Sequence, residues 1–197
     1  MQRDTITVLG IAGSLRRGSY NRALLRSAQA LTPDGMRLDV VDLHDVPFYD
    51  ADVEREGDPE PVTALKRRVR EADALVIATP EYQHSLPGVL KNALDWASRP
   101  PQDPPLRGKP IAMMGATPGR YGTARAQAEL RKVLAYNDAV MVNRPEVLVA
   151  NAAQAFDEGG ELVDEKAREL VHELLSALVW WARLLRDARH ATDRQRG

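Results

Sequence analysis

A chain of 197 residues, 44% hydrophobic and 28% charged, is long enough to enclose one core without covalent staples. Its 27 basic and 28 acidic side chains nearly cancel, which removes any global attraction to nucleic acid or anionic lipid. The absence of cysteine excludes disulfides, iron–sulfur clusters, thiolate zinc sites and cysteine nucleophiles together.

No apolar run approaches the ~18 residues of a membrane span, and Met1-Gln2-Arg3-Asp4 leads directly into a strand-like run. The expectation is a cytoplasmic protein with no secretory leader and no membrane insertion. Thr5–Ile11 is β-branched and mostly apolar, and a Gly/Ser-rich loop follows it. Asn21–Leu31 carries apolar residues at 24, 25, 28 and 31, the spacing of a helix. Thr32-Pro33-Asp34-Gly35 reads as a turn, and Met36–Leu43 as a second strand burying Leu38, Val40 and Val41. A polar, proline-punctuated stretch runs from His44 to Pro61, then a charged helix to Glu71.

Ala74–Ala78 is short and fully apolar, as a central parallel strand covered on both faces would be. Pro87-Gly88 opens a helix to about Ser98, with Val89, Leu90, Ala93, Leu94 and Ala97 on one side. The proline-rich 99–105 stretch is a surface connection. Pro110–Gly115 is a fourth strand, and a helix spans about Thr123–Tyr136. Residues 140–142 and 147–149 supply a fifth strand interrupted near Arg144-Pro145. The last helix, about Asp164–Arg186, is expected to bury Leu170, Leu174, Leu178, Trp181 and Leu185. Repetition of β then α predicts a doubly wound, five-stranded parallel sheet with helices on both faces. One domain over residues 1–187 is expected, followed by a polar C-terminal tail at 188–197.

In such sheets ligands bind beyond the carboxyl ends of the strands, which singles out loops 12–20, 79–86 and 115–123. In the first loop small residues allow close backbone approach, and Ser14, Ser19 and Asn21 add neutral donors while Arg16 adds a charged fork. A terminal phosphate suits that set; a loop that merely caps the helix is the plainer alternative. Gly13 and Gly18 have the spacing of a nucleoside-triphosphatase loop, but Ser19-Tyr20 stands where Lys and then Ser or Thr are needed. Gly10, Gly13 and Gly18 do not fit the dinucleotide fingerprint either. In the second loop Pro80 turns the chain away from the sheet, and Tyr82 and His84 could cover a flat heteroaromatic ring. Both also read as ordinary loop residues. Ala116–Gly122 has the same small, polar character, and Arg120 reads there as a surface residue or a contact for an incoming nucleotide. The histidines at 44, 84, 172 and 190 lack metal-ligand spacing, and no metal is expected.

Gly13-Ser14-Leu15-Arg16-Arg17-Gly18-Ser19-Tyr20-Asn21 resembles the G-S-x-R-x-x-S-x-N phosphate loop of the NADPH-dependent FMN reductase family. Thr79-Pro80-Glu81-Tyr82, continuing into Pro87-Gly88-Val89-Leu90-Lys91-Asn92-Ala93-Leu94-Asp95-Trp96, resembles that family's second block. The resemblance covers about residues 5–185 and implies a flavodoxin-like fold. It implies that Ser14, Arg16, Ser19 and Asn21, with Tyr20 between them, hold an FMN phosphate. It further implies that Pro80, Glu81, Tyr82, Gln83 and His84 lie along the isoalloxazine, with Thr117 and Gly119 nearby. Gln83 departs from the Asn common in the family.

The implied activity is ping-pong hydride transfer from NADPH or NADH through flavin N5 to a small oxidant, with no protein catalytic residue. The oxidant would be a quinone, free flavin, azo compound or metal oxyanion. A homodimer or homotetramer built through the Leu90–Trp96 surfaces is implied as well. A flavodoxin-like electron carrier without its own NAD(P)H oxidase activity is the alternative. Carriers of that kind are strongly acidic, and both the net charge of −1 and Arg16 favour the reductase.

Overall fold

The computed structural model describes residues 5–196. Met1–Asp4, on which the reading of a leaderless start rested, lie outside the described residues. The strands are β1 (Ile6–Ala12), β2 (Met36–Val41), β3 (Ala74–Ala78), β4 (Pro110–Ala116), β5 (Val140–Met141) and β6 (Val147–Val149). The helices are α1 (Tyr20–Ala30), α2 (Ala51–Glu56), α3 (Glu60–Glu71), α4 (Gly88–Ala97), α5 (Ala124–Tyr136), α6 (Ala152–Ala155) and α7 (Glu165–Arg196).

Every strand pairing is parallel, in the order β2-β1-β3-β4-β5. β5 pairs with the beginning of β4, at Pro110 and Ile111, and β6 with its end, at Met114–Ala116. The two short strands therefore share the fifth position of a flavodoxin-like sheet, broken around Arg144-Pro145 as the sequence predicts.

Side chains alternate across the pleat. Ala74, Val76, Ala78, Ala112 and Ala116 face α1 and α7, whereas Leu75, Ile77, Ile111 and Met113 face α3, α4 and α5. Small residues on one side let α1 and α7 approach the strands closely, and the larger ones fill the layer on the other side. Leu75 and Ile77 are wholly buried, and truncating either to Ala would cost about 2–5 kcal/mol through lost transfer energy and the cavity left behind.

Four expectations need correction. Val40 is 38% exposed because β2 is an edge strand, and of its three expected core residues only Leu38 and Val41 are buried. α2 lies in the polar, proline-punctuated stretch, for which no element is predicted; it buries no residue, so it has no apolar period to reveal it, and Asp50 caps it by accepting from the Asp52 N–H at 2.8 Å. α7 continues past Arg186 to Arg196, and its buried stripe is Val171, Leu174, Leu175, Leu178, Val179 and Ala182, with Leu170, Trp181 and Leu185 only partly covered.

The fourth correction concerns α4. Leu90 and Trp96 are fully buried within this chain, so they cannot form a subunit surface. Within that block Asn92 and Trp96 work inward, while Lys91 is exposed. Trp96 Nε1 and Asn92 Nδ2 both donate to the Pro47 carbonyl, at 2.9 and 2.8 Å, and Asn92 Oδ1 accepts the Tyr49 N–H at 2.8 Å. Tyr49 also meets the Trp96 ring edge-on, with centroids 5.0 Å apart. α4 thereby pins the long connection that follows β2. Among the described residues, no helix is long and apolar enough to cross a membrane.

Candidate active site

The carboxyl ends of β1, β3 and β4 open into a cavity of about 910 Å³. Ser14, Arg16, Arg17, Ser19, Tyr20 and Asn21 line it from the first loop; Pro80, Glu81 and Tyr82 from the second; Ala116, Thr117 and Pro118 from the third. Of the residues expected at the site, Gln83, His84 and Gly119 are not on this wall. Gln83 and His84 are the two central residues of a tight turn, with φ of 50° and 62°. Tyr82 and Ser85 exchange both main-chain hydrogen bonds across it, at 3.0 and 2.9 Å. Positive φ at both centres is the geometry that closes a two-residue hairpin, and it turns both side chains out toward solvent.

Ser19 is the N-cap of α1, and its hydroxyl accepts the Arg22 N–H at 3.4 Å. The first N–H groups of a helix, here those of Tyr20 and Asn21, have no intrahelical acceptor and carry the positive end of its dipole. No acidic residue stands in that first turn. Ser14 and Ser19 are buried, while Arg16, Arg17 and Arg26 stand exposed around them. The Arg16 guanidinium lies 5.9 Å from the centre of the Tyr20 ring.

Asn21 does something the sequence did not indicate. Its carboxamide donates to the Ala116 carbonyl and accepts the Ala116 N–H, both at 2.9 Å. The side chain expected on a phosphate instead joins α1 to the end of β4, and only its main-chain N–H is left for an anion.

Glu81 is likewise turned to the protein. Its carboxylate accepts the Arg125 and Ala126 N–H groups at 3.0 and 3.3 Å, and the Arg125 guanidinium at 2.9 Å. Thr123, the N-cap of α5, makes no side-chain cap, so Glu81 fills that place from another loop. Burial alone would raise its pKa; the hydrogen bonds from the Arg125 side chain and from the Ala126 and Arg125 main chain outweigh burial and hold it below the ordinary carboxylate range. Beside it Gly115 allows α5 to seat: a Cβ there would overlap the Thr123 hydroxyl and lie 2.6 Å from the Thr79 carbonyl oxygen.

A further wall was not foreseen. Ala153, Phe156 and residues 157–160 line the cavity from beyond β6, together with Arg26 and Ala23 of α1. Phe156 packs on Tyr20 with ring centroids 5.5 Å apart, and the Leu162 N–H donates to Ser27 Oγ at 3.1 Å. Gly159-Gly160 marked a turn there, but nothing local tied that turn to the first loop.

The cavity thus has a cationic, N–H-rich end at the start of α1 and an apolar, aromatic side formed by Pro80, Tyr82 and Pro118. A ligand with a terminal phosphate and a flat ring matches that donor set. The NADPH-dependent FMN reductase family model matches residues 6–154. The chain belongs to the NADPH-dependent FMN reductase family. An NAD(P)H-dependent FMN reductase of Pseudomonas aeruginosa is 52% identical over 183 residues, covering 93% of this chain and 98% of the relative. A 2-hydroxy-1,4-benzoquinone reductase of a Burkholderia species is 41% identical, covering 88% of this chain and 94% of the relative. Among solved structures, the flavoenzyme NAD(P)H:(acceptor) oxidoreductase FerB of Paracoccus denitrificans superposes with a TM-score of 0.83 at 36% identity. That match covers 91% of this chain and 98% of FerB. This member of the family is therefore an oxidoreductase with FMN as cofactor and NAD(P)H as co-substrate.

Proposed function

We propose that this FMN reductase oxidises NAD(P)H and reduces a quinone, free flavin or similar small flat oxidant by a ping-pong route. The observation that carries the reading is the polarity of one cavity: cations and free N–H groups at one end, an open aromatic side at the other. Ser14, Ser19, Arg16 and the Tyr20 and Asn21 N–H groups would hold the FMN phosphate. Pro80, Tyr82 and Thr117 would flank the ring, with Glu81 holding that loop in place and Gln83, His84 and Gly119 at the outer rim. FMN supplies the relay of hydride between nicotinamide and acceptor. The protein's share is to bind, orient and shield, which requires no nucleophile–base pair.

Tyr82 is 51% exposed, so the ring-side opening can admit first one flat partner and then another. The 2-hydroxy-1,4-benzoquinone reductase among its relatives supports a quinone as the acceptor. Azo compounds and metal oxyanions fall within the same reading. A cytoplasmic location and a homodimer or homotetramer complete it. Phe48, 86% exposed on the connection that α4 pins at Pro47 and Tyr49, is an apolar residue such an assembly would cover.

Initial rates of NADPH and NADH oxidation, measured against a benzoquinone, FMN, an azo dye and a metal oxyanion, test the proposal. Parallel double-reciprocal lines with at least one acceptor support it. Intersecting lines overturn the ping-pong order, and NAD(P)H oxidation that no acceptor stimulates returns the protein to the carrier reading.

A further inference from the structure

At the opposite end of the sheet, where β3 and β4 begin, α7 closes a second cavity of about 320 Å³. Arg70, Lys109, Arg186 and Arg189 stand on its walls, with the carboxylates of Glu71 and Asp73. Part of that charge is already engaged. Asp73 Oδ2 accepts from the Thr7 N–H and hydroxyl at 2.8 and 2.9 Å, and Arg70 donates to Asp103 Oδ2 at 3.3 Å. The other three cations make no hydrogen bond to a carboxylate among the described residues. The Lys109 side chain, in a residue only 5% exposed, donates to the carbonyls of Ala72 and Arg70 at 2.5 and 3.3 Å. Arg189 donates to the Gly108 carbonyl at 2.6 Å. Arg186 Nε is buried with no hydrogen-bond partner among the described residues.

Capping of the last carbonyls of α3 accounts for two of the three ammonium protons of Lys109. It leaves the third proton, and it leaves Arg186 unexplained: a buried N–H without an acceptor is destabilising, and like charges on the walls of one cavity repel one another. An anion between them would remove both costs, and planar guanidinium forks suit tetrahedral oxyanions.

We infer that this cavity binds a compact oxyanion of the phosphate class, held by Lys109, Arg186 and Arg189. Inorganic phosphate, pyrophosphate and the phosphate end of a nucleotide share that chemistry. The site lies at the amino ends of the strands, away from the flavin cavity, and is independent of the function proposed above.

Titration of the FMN-loaded protein with pyrophosphate, at ionic strength held constant with sodium chloride, tests the inference by calorimetry and by thermal shift. Loading with FMN keeps the first-loop phosphate site filled. Saturable binding is expected in the wild type, weakened at least about tenfold by Arg186→Gln combined with Arg189→Gln. The flavin absorbance spectrum of that variant should be unchanged, which verifies its fold. Arg189→Gln alone, at an exposed residue, provides a second variant expected to weaken binding in the same direction. ADP in place of pyrophosphate separates the sources: tighter binding assigns the site to a nucleotide and weaker binding to a free oxyanion, each lost in the double variant. Absence of saturable binding in the wild type, or equal affinity in the wild type and a folded double variant, overturns the inference.

Discussion

The carboxamide of Asn21 holds both main-chain groups of Ala116, one bond in each direction, at 2.9 Å. Residue 21 stands in the first turn of α1 and residue 116 ends β4, so the pair ties the cationic end of the cavity to the third loop. Replacing Asn21 with Ala leaves a buried N–H and a buried C=O unpaired, and each costs about 1–3 kcal/mol. A loss of about 2–4 kcal/mol in unfolding free energy by urea titration is expected, together with weaker FMN retention. Asn21→Asp keeps the acceptor but sets a negative oxygen against the Ala116 carbonyl, so it should rescue little. A loss below about 0.5 kcal/mol in either variant would mean that water replaces the amide without cost.

Glu81 works the same way between the second loop and α5. The group is largely buried, with its side chain 11% exposed, and Glu81→Gln exchanges charge-assisted bonds for neutral ones. A destabilisation of about 1–2 kcal/mol at neutral pH is expected. The folded pKa of Glu81 is held below its unfolded value, so its stabilising contribution is present above the unfolded value near 4.3 and is lost as pH falls through the folded one. Between about pH 5 and pH 3 the wild type should therefore lose more stability than Glu81→Gln. Parallel stability curves for the two proteins over that range would remove Glu81 from the α5 cap.

These two residues also mark where sequence reading stopped. The strands were legible because Ala74–Ala78 and Pro110–Gly115 are short apolar runs that only a doubly covered strand explains. The loops were legible because strand ends in such sheets gather ligands, and Ser14, Ser19, Pro80 and Tyr82 do line the cavity. Asn21 and Glu81 line the cavity too, but their side chains are bonded to Ala116 and to the start of α5. Their hydrogen bonds reach across 95 and 44 residues, to backbone groups that carry no mark in the sequence. The wall at 156–160 was missed for the same reason: its tie, from Leu162 to Ser27, spans 135 residues. Residue type and spacing report what a side chain can do; long-range packing decides which polar group receives it.

Arg16, exposed on the cavity wall, offers a test of the proposed flavin site. Among the described residues it touches its own loop and the Tyr20 ring, whose centre lies 5.9 Å from its guanidinium, so its removal should leave the fold intact. Arg16→Ala is expected to weaken FMN binding by about 1.5–3 kcal/mol, roughly ten- to a hundredfold, as for loss of a charge-assisted hydrogen bond. Fluorescence quenching of FMN on titration with apoprotein gives the affinity directly, and riboflavin supplies the control because it lacks the phosphate. Equal losses for FMN and riboflavin would assign Arg16 to the ring; no loss for either would move the phosphate elsewhere in the cavity.

Lys109 yields a pH dependence of opposite sign to that of Glu81. Burial, followed by the nearby charges of Arg189 and Arg70, pushes its ammonium down to about 8 even though Asp73 favours the charged form. The unfolded chain keeps a value near 10.4, so between the two pKa values the unfolded state binds more protons. The contribution of this group is fully present above the unfolded value and is lost as pH falls through about 8. Stability measured from about pH 7.5 to pH 10 should accordingly rise for the wild type relative to Lys109→Met, by about 2–3 kcal/mol over that span. Both proteins share every other titrating group, so the difference between their curves isolates Lys109. A flat difference would show that the amine stays charged at its carbonyl partners throughout, stabilised by Ala72 and Arg70 strongly enough to offset its burial.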